Sequence, residues 1–328
     1  MSDRRKLSTP QIQIPFVWRP RMGLHTGCLQ RLRENFQRPS EPMGEAWFMS
    51  RERRMFDWLL GDLEQLALED LRQPLEEIAS GNSSFGPLQE WTDWYRYLLA
   101  QLVTRHYERS FDSLYQHLVT AFIAVHPRGI EDPYVGYGDD ARHTLGRCLM
   151  DPSRWTGDRL SARAPEDPFA GGRHAAFAWS TACGDFSAGM FFCAKYLDEG
   201  ELDAWIDSAF AIQCPLWTTQ LYTWLLEAYP LLCGRVMQLA DLDADSSTKV
   251  TWLGSHVLRG DFSGVYEPAP PPLPLLSTTR CEAVLAGARK HVSEAGFFAW
   301  LDAIKPYTYL ETMLGDKPNR FAEVFNIA

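Results

Sequence analysis

The stretch FGPLQEWTDWYRYLLAQLVTRHYERSFDSLYQHLVTAFIAVHP, Phe85–Pro127, decides the fold. Trp91, Trp94, Tyr95, Leu98, Leu99, Leu102, Val103, His106, Ser110, Phe111, Leu114, Tyr115, Leu118, Val119, Phe122 and Ile123 recur in steps of three and four. Asp93, Arg96, Gln101, Arg105, Glu108 and Gln116 fall largely on the opposite side. That spacing gathers apolar groups on one face of an α-helix. It predicts a single long helix, stopped by Pro127 and Gly129, whose stripe must lie against other helices.

Helical patterning extends in both directions from this stretch. Upstream it begins near Glu45 and runs through Trp47, Phe48, Met55, Trp58, Leu59, Leu63 and Leu66, with Gly81-Asn82-Ser83-Ser84 as a break. Downstream, Asp139 is positioned to cap a short helix holding Leu145, Leu149 and Met150. Helices are then expected over 174–183, 186–197, 199–212, 216–229, 230–240 and 246–258, punctuated by Gly184, Gly200, Pro215, Pro230 and the acidic turn Asp241–Asp245. No run of alternating β-branched residues marks a strand. The expected fold is all-α, an irregular antiparallel array of helical hairpins (a HEAT-like α-solenoid or a multi-helix bundle). Four parts are expected: a basic irregular arm over 1–44 packed on the body, a main helical domain over 45–266, a Pro-rich linker over 267–276, and C-terminal helices over 277–328 that pack on or cap the body. The segments Thr144–Trp155 (TLGRCLMDPSRW) and Ala188–Gly234 resemble bacterial HEAT-like helical proteins in composition, without a motif specific to one family.

Composition bounds the function. The 328 residues are 45% hydrophobic and 23% charged, with twelve Trp and eighteen Phe, as in a globular chain with ample core. No apolar run approaches the roughly 18–20 residues that cross a bilayer, and Met1–Pro20 lacks the apolar centre of a secretory signal. Seven cysteines without CxxC spacing read as reduced, buried thiols, so a cytoplasmic location is expected. Arg outnumbers Lys 26 to 6, the bias of a GC-rich bacterial genome. Residues 1–54 carry eleven Lys/Arg against five acids, a net of +6; the whole chain carries −10, so residues 55–328 carry −16. Such a body repels nucleic acid and attracts basic partners.

Candidate chemistry is sparse. Asp241, Asp243 and Asp245 match three positions of an EF-hand loop, but Ser246 replaces its Gly and Trp252 its bidentate Glu, leaving an acidic helix-connecting turn. Asp139, Asp140 and His143, with His174 from elsewhere, form the candidate metal set; the plainer reading is an acidic helix start favoured by the macrodipole. His106 and His117 share a helix face, yet no ExxH pattern accompanies them, so His106 reads as a buried histidine satisfied by a neighbouring carbonyl or acid. The two GDFS segments, at Gly184 and Gly260, lack the GxSxG of a nucleophile elbow. There is no phosphate loop, dinucleotide fingerprint, HExxH or Cys–His zinc pattern.

The expected function is therefore non-catalytic protein binding, with no cofactor, no resident metal, no nucleic acid and no membrane. An immunity-type protein that neutralises a basic toxin fits the acidic charge. The candidate partner-binding residues are Glu131, Asp132, Asp139, Asp140, Asp198, Glu199, Glu201, Asp203, Asp241, Asp243 and Asp245. A metal-dependent enzyme built on Asp139, Asp140, His143 and His174, and a helical adaptor using the proline segment, are the alternatives.

Overall fold

The computed structural model describes residues 15–44, 54–85, 88–105, 114–160, 184–242, 250–252, 254–258 and 273–327. These residues are mostly helical, and the chain is an all-α array. In order they form α1 (Thr26–Asn35), α2 (Leu68–Phe85), α3 (Gln89–Leu102), α4 (Tyr115–Val125) and α5 (Tyr137–Thr144). There follow a two-residue hairpin, β1 (Trp155–Thr156) with β2 (Arg159–Leu160), and then α6 (Gly184–Tyr196), α7 (Glu199–Phe210), α8 (Pro215–Leu232) and α9 (Leu239–Leu242). The last four helices are α10 (Thr278–His291), α11 (Glu294–Ile304), α12 (Thr308–Leu314) and α13 (Lys317–Phe325). No described helix is long and apolar enough to cross a membrane.

The long helix expected over 85–127 is instead two helices folded back on each other. The Tyr95 hydroxyl donates to the Leu118 carbonyl at 2.8 Å. In one continuous helix these residues would stand roughly 35 Å apart at 1.5 Å per residue. The apolar periodicity keeps its phase across the polar run between the halves, so the stripe reads as continuous although the backbone turns. Pairing α3 against α4 lets α4 be buried along its whole length, packed between α2, α3 and α6.

Gly81 does not break a helix; it lies inside α2. A Cβ at Gly81 would come within 2.5 Å of the Trp91 ring, so the glycine serves the close approach of α2 to α3. The next residue, Asn82, is buried and donates to the Ile78 carbonyl at 2.8 Å. Pro230 likewise fails to separate two helices: α8 runs on to Leu232 and closes in a turn with Gly234 at φ +75°. Asp139 is not the cap of α5. Gly136, at φ +92°, begins the helix, and the Asp132 carboxylate accepts from the Gly138 N–H at 2.9 Å. The helix expected over 246–258 is reduced, among its described residues, to the single 3-10 turn Ser255–Val257. The helix expected over 174–183 lies outside the described residues.

Residues 15–44, expected as an irregular arm, enter the core. Phe16 and Trp18 are fully buried, and α1 packs on α5 and α3. Trp18 donates its indole N–H to the Gly146 carbonyl at 2.8 Å and sits edge-on to Trp205 and Trp217. At the other end, α10 packs on α7 and α8, while α11 and α13 cover α8. Phe321 stacks on Tyr222 at 4.5 Å, and the Trp300 indole donates to Thr219 Oγ1 at 2.9 Å.

Candidate protein-docking face

Most of the acids nominated from sequence are engaged within the fold. Asp140 is fully buried. Its carboxylate takes both Nε and Nη2 of Arg31 and the Tyr134 hydroxyl, the last at 2.7 Å, which clamps α1 onto α5. Burial, together with the neighbouring Asp140, pushes the Cys28 thiol up to about 12. Asp139, Asp198 and Glu201 converge on Arg142, which ties α5 to α7: Asp139 pairs within its own helix, Asp198 lies at 3.3 Å and Glu201 at 3.9 Å. Asp198 and Glu201 also form the capping box of α7. Asp203 pairs with Lys290 at 3.0 Å, joining α7 to α10.

Glu131, Glu199 and Asp241 remain exposed, outside every ion pair among the described residues. Glu131 lies in the loop before α5, Glu199 opens α7 and Asp241 lies in α9. Asp243, Asp245, His106 and His174 lie outside the described residues.

The candidate metal set is not assembled. His143 packs against Phe16 and His25, with ring centroids at 5.6 and 6.1 Å, and burial beside Arg147 lowers its pKa to about 4. Asp140 faces Arg31 and Asp139 faces Arg142. Among the described residues no group of three or more His, Cys, Asp or Glu is arranged to hold an ion. His117 is buried, 3.4 Å from Glu76, and desolvation lowers its pKa to about 4.

A different acidic face stands out. Residues 55–77 contain seven acids (Asp57, Asp62, Glu64, Glu69, Asp70, Glu76 and Glu77) against one Arg. All but Glu77 are exposed. In their midst Trp58 is 42% exposed, although its sequence position suggested a buried helical stripe.

The backbone explains why Trp58 points outward. Phe56 is buried in the left-handed region at φ 55°, a conformation that costs a non-glycine residue roughly 1–3 kcal/mol and needs surrounding support. Support comes from two arginines that bond the loop's carbonyls. Arg38 donates to Gly61 at 2.9 Å, and Arg105 donates to Leu63 and Leu66. The chain then continues as 3-10 turns, Asp57–Leu60 and Leu63–Gln65, in place of the expected α-helix.

A proline in the neighbouring helix fixes the indole itself. Pro74 lies inside α2 and has no N–H, so the Asp70 carbonyl four residues earlier loses its intrahelical donor. The Trp58 indole N–H takes that carbonyl at 3.2 Å, and its ring meets Phe56 edge-on at 5.2 Å. One edge of the indole is held, its other surface is open, and carboxylates flank it. The cue available in sequence was the density of acids around DWLLGD.

No protein-family model matches this chain, and neither does any curated protein or solved structure at the level required for a match.

Proposed function

We propose that the chain is a non-catalytic protein-binding module whose Trp58 edge docks a basic segment of another protein. The carrying observation is an indole held by the carbonyl that Pro74 releases, 42% exposed and set in a segment of exposed carboxylates. An aromatic anchor of this kind gives up area on association, and its face attracts Arg or Lys by cation–π interaction. The surrounding acids speed encounter with a positive partner and disfavour negative ones. The engagement of Asp139, Asp140 and His143 with arginines and aromatic rings supports binding over a metal-dependent reaction.

The specific form proposed is an immunity-type inhibitor acting in the cytoplasm on a basic toxin made by an adjacent gene. Co-expression with the neighbouring gene's product should give a co-purifying complex and protection from its toxicity. Trp58→Ala should weaken that complex at least tenfold, the loss of a hot-spot aromatic. Its melting temperature should fall by only a few degrees, from the lost indole bond to Asp70 and the contact with Phe56, so the variant is still folded when binding is compared. Asp57→Lys with Asp62→Lys should slow association and reduce its dependence on salt. A complex that forms equally well with Trp58→Ala would remove this edge from the interface. Absence of any complex would remove the toxin-inhibitor reading.

A further inference from the structure

On the far side of the array from the Trp58 edge in sequence, the end of α8 and one face of α10 enclose a groove of about 620 Å³. That lies within the roughly 300–1,000 Å³ typical of small-molecule sites. We propose that it binds a small apolar monocarboxylate.

The floor is greasy. Leu231, Leu232, Leu276 and Leu285 are buried along it, and Met237, 55% exposed, stands at the mouth. The backbone at the end of α8 has turned its polar groups on itself: the N–H groups of Cys233, Gly234 and Arg235 donate to the carbonyls of Tyr229, Leu231 and Pro230. Polar recognition therefore falls to side chains on the α10 rim.

Three basic side chains close α10: Arg289, Lys290 and His291. Two of them are held by α7, Lys290 on Asp203 at 3.0 Å and His291 on Asp207 at 2.7 Å. Arg289 lines the groove and is exposed, outside every ion pair among the described residues. A guanidinium at the end of an apolar groove suits a carboxylate, which it can bond in a bidentate fork. Glu282 lines the same groove seven residues earlier, about two helical turns or roughly 10 Å away. A negative group there rejects a second anion, so the ligand's far end is neutral.

Isothermal titration of the full chain with decanoate, decan-1-ol and decanedioate tests this. Decanoate should bind one to one, about fivefold tighter than decan-1-ol, the size of one partly exposed charge pair. Decanedioate should bind more weakly than decanoate. Arg289→Leu should erase the preference for carboxylate over alcohol, and Glu282→Gln should bring decanedioate up to decanoate. Ala286→Trp, which fills the mouth, should abolish all three while leaving the melting curve in place. Decanoate should also slow maleimide labelling of Cys233, a half-buried thiol in the groove wall. Failure of the wild-type chain to bind decanoate overturns the proposal. So does a carboxylate preference that survives in Arg289→Leu, or unchanged binding in Ala286→Trp.

Discussion

Asp185→Ala is expected to lower the free energy of unfolding by about 3 kcal/mol, the cost of removing one partner of a buried ion pair. Asp185 Oδ2 lies 2.7 Å from Arg154 Nη2, and the two side chains are 8% and 0% exposed. Arg154 closes the 3-10 turn ahead of β1, and Asp185 stands in the first turn of α6. The guanidinium also sits over the Tyr115 ring of α4, 5.9 Å from its centroid. One pair therefore ties the small hairpin to two core helices. Without the carboxylate, Arg154 keeps its charge, because a guanidinium does not deprotonate in this range and has no path to water. The first turn of α6 also loses a negative charge that its macrodipole favours.

Replacing both partners at once separates the geometry from the charge. Arg154→Met with Asp185→Leu should recover most of the loss, since buried ion pairs exchanged for apolar groups of similar volume are often neutral or stabilising. Urea unfolding followed by tryptophan fluorescence gives the single and double values and hence the coupling energy. A loss below about 1 kcal/mol in Asp185→Ala would mean that the pair is solvated or replaceable, and would place the joint between the hairpin and α6 elsewhere.

The contrast between what the sequence revealed and what it hid follows the range of the interactions. Helical faces are local, so the buried positions of α3 were legible from their spacing, whereas α4, read as one-sided, is buried all round, Gln116 included. The turn between α3 and α4 was not legible, because both halves carry the stripe in phase. Gly81 offered the same ambiguity: a glycine fits a break and a tight crossing equally well, and only the approach of Trp91 decides. Charge pairing is non-local. Arg31 and Asp140 are 109 residues apart, so nothing near Asp140 announces that its carboxylate is consumed. Four of the nominated acids, Asp140, Asp198, Glu201 and Asp203, proved to be joints between helices for that reason. Trp58 was hidden by a backbone event, the left-handed Phe56, which converts an expected helical face into a turn.

The dependence of stability on pH should carry two opposing slopes that a single substitution separates. His117 and His126 are buried, and desolvation lowers their pKa values from 6.5 to about 4 and about 3. Their contribution is complete above pH 6.5 and falls away as the pH drops, because the unfolded chain takes up protons that the folded chain refuses; His143, also lowered to about 4, adds to the same slope. At pH 4.5 His117 and His126 are each held neutral about two pH units below the unfolded pKa, so these two together cost roughly 5 kcal/mol. Glu227 works in the other direction. It is 4% exposed on α8, with Oε2 lacking a hydrogen bond among the described residues. Burial raises its pKa from 4.5 to about 7 even with Lys317 Nζ at 2.7 Å. Its contribution is intact below pH 4.5 and is lost as the pH rises through 7, a change of roughly 3 kcal/mol. Over the shared window the wild-type slope is then the shallow difference of the two. Glu227→Gln should be more stable than wild type by about 3 kcal/mol at pH 8 and equal to it near pH 4, with the full histidine slope exposed between. Urea unfolding of both proteins from pH 4 to 8 measures the difference. If the gap between them stays constant with pH, Glu227 carries its charge throughout, and α13 is then docked on α8 by a permanent ion pair with Lys317.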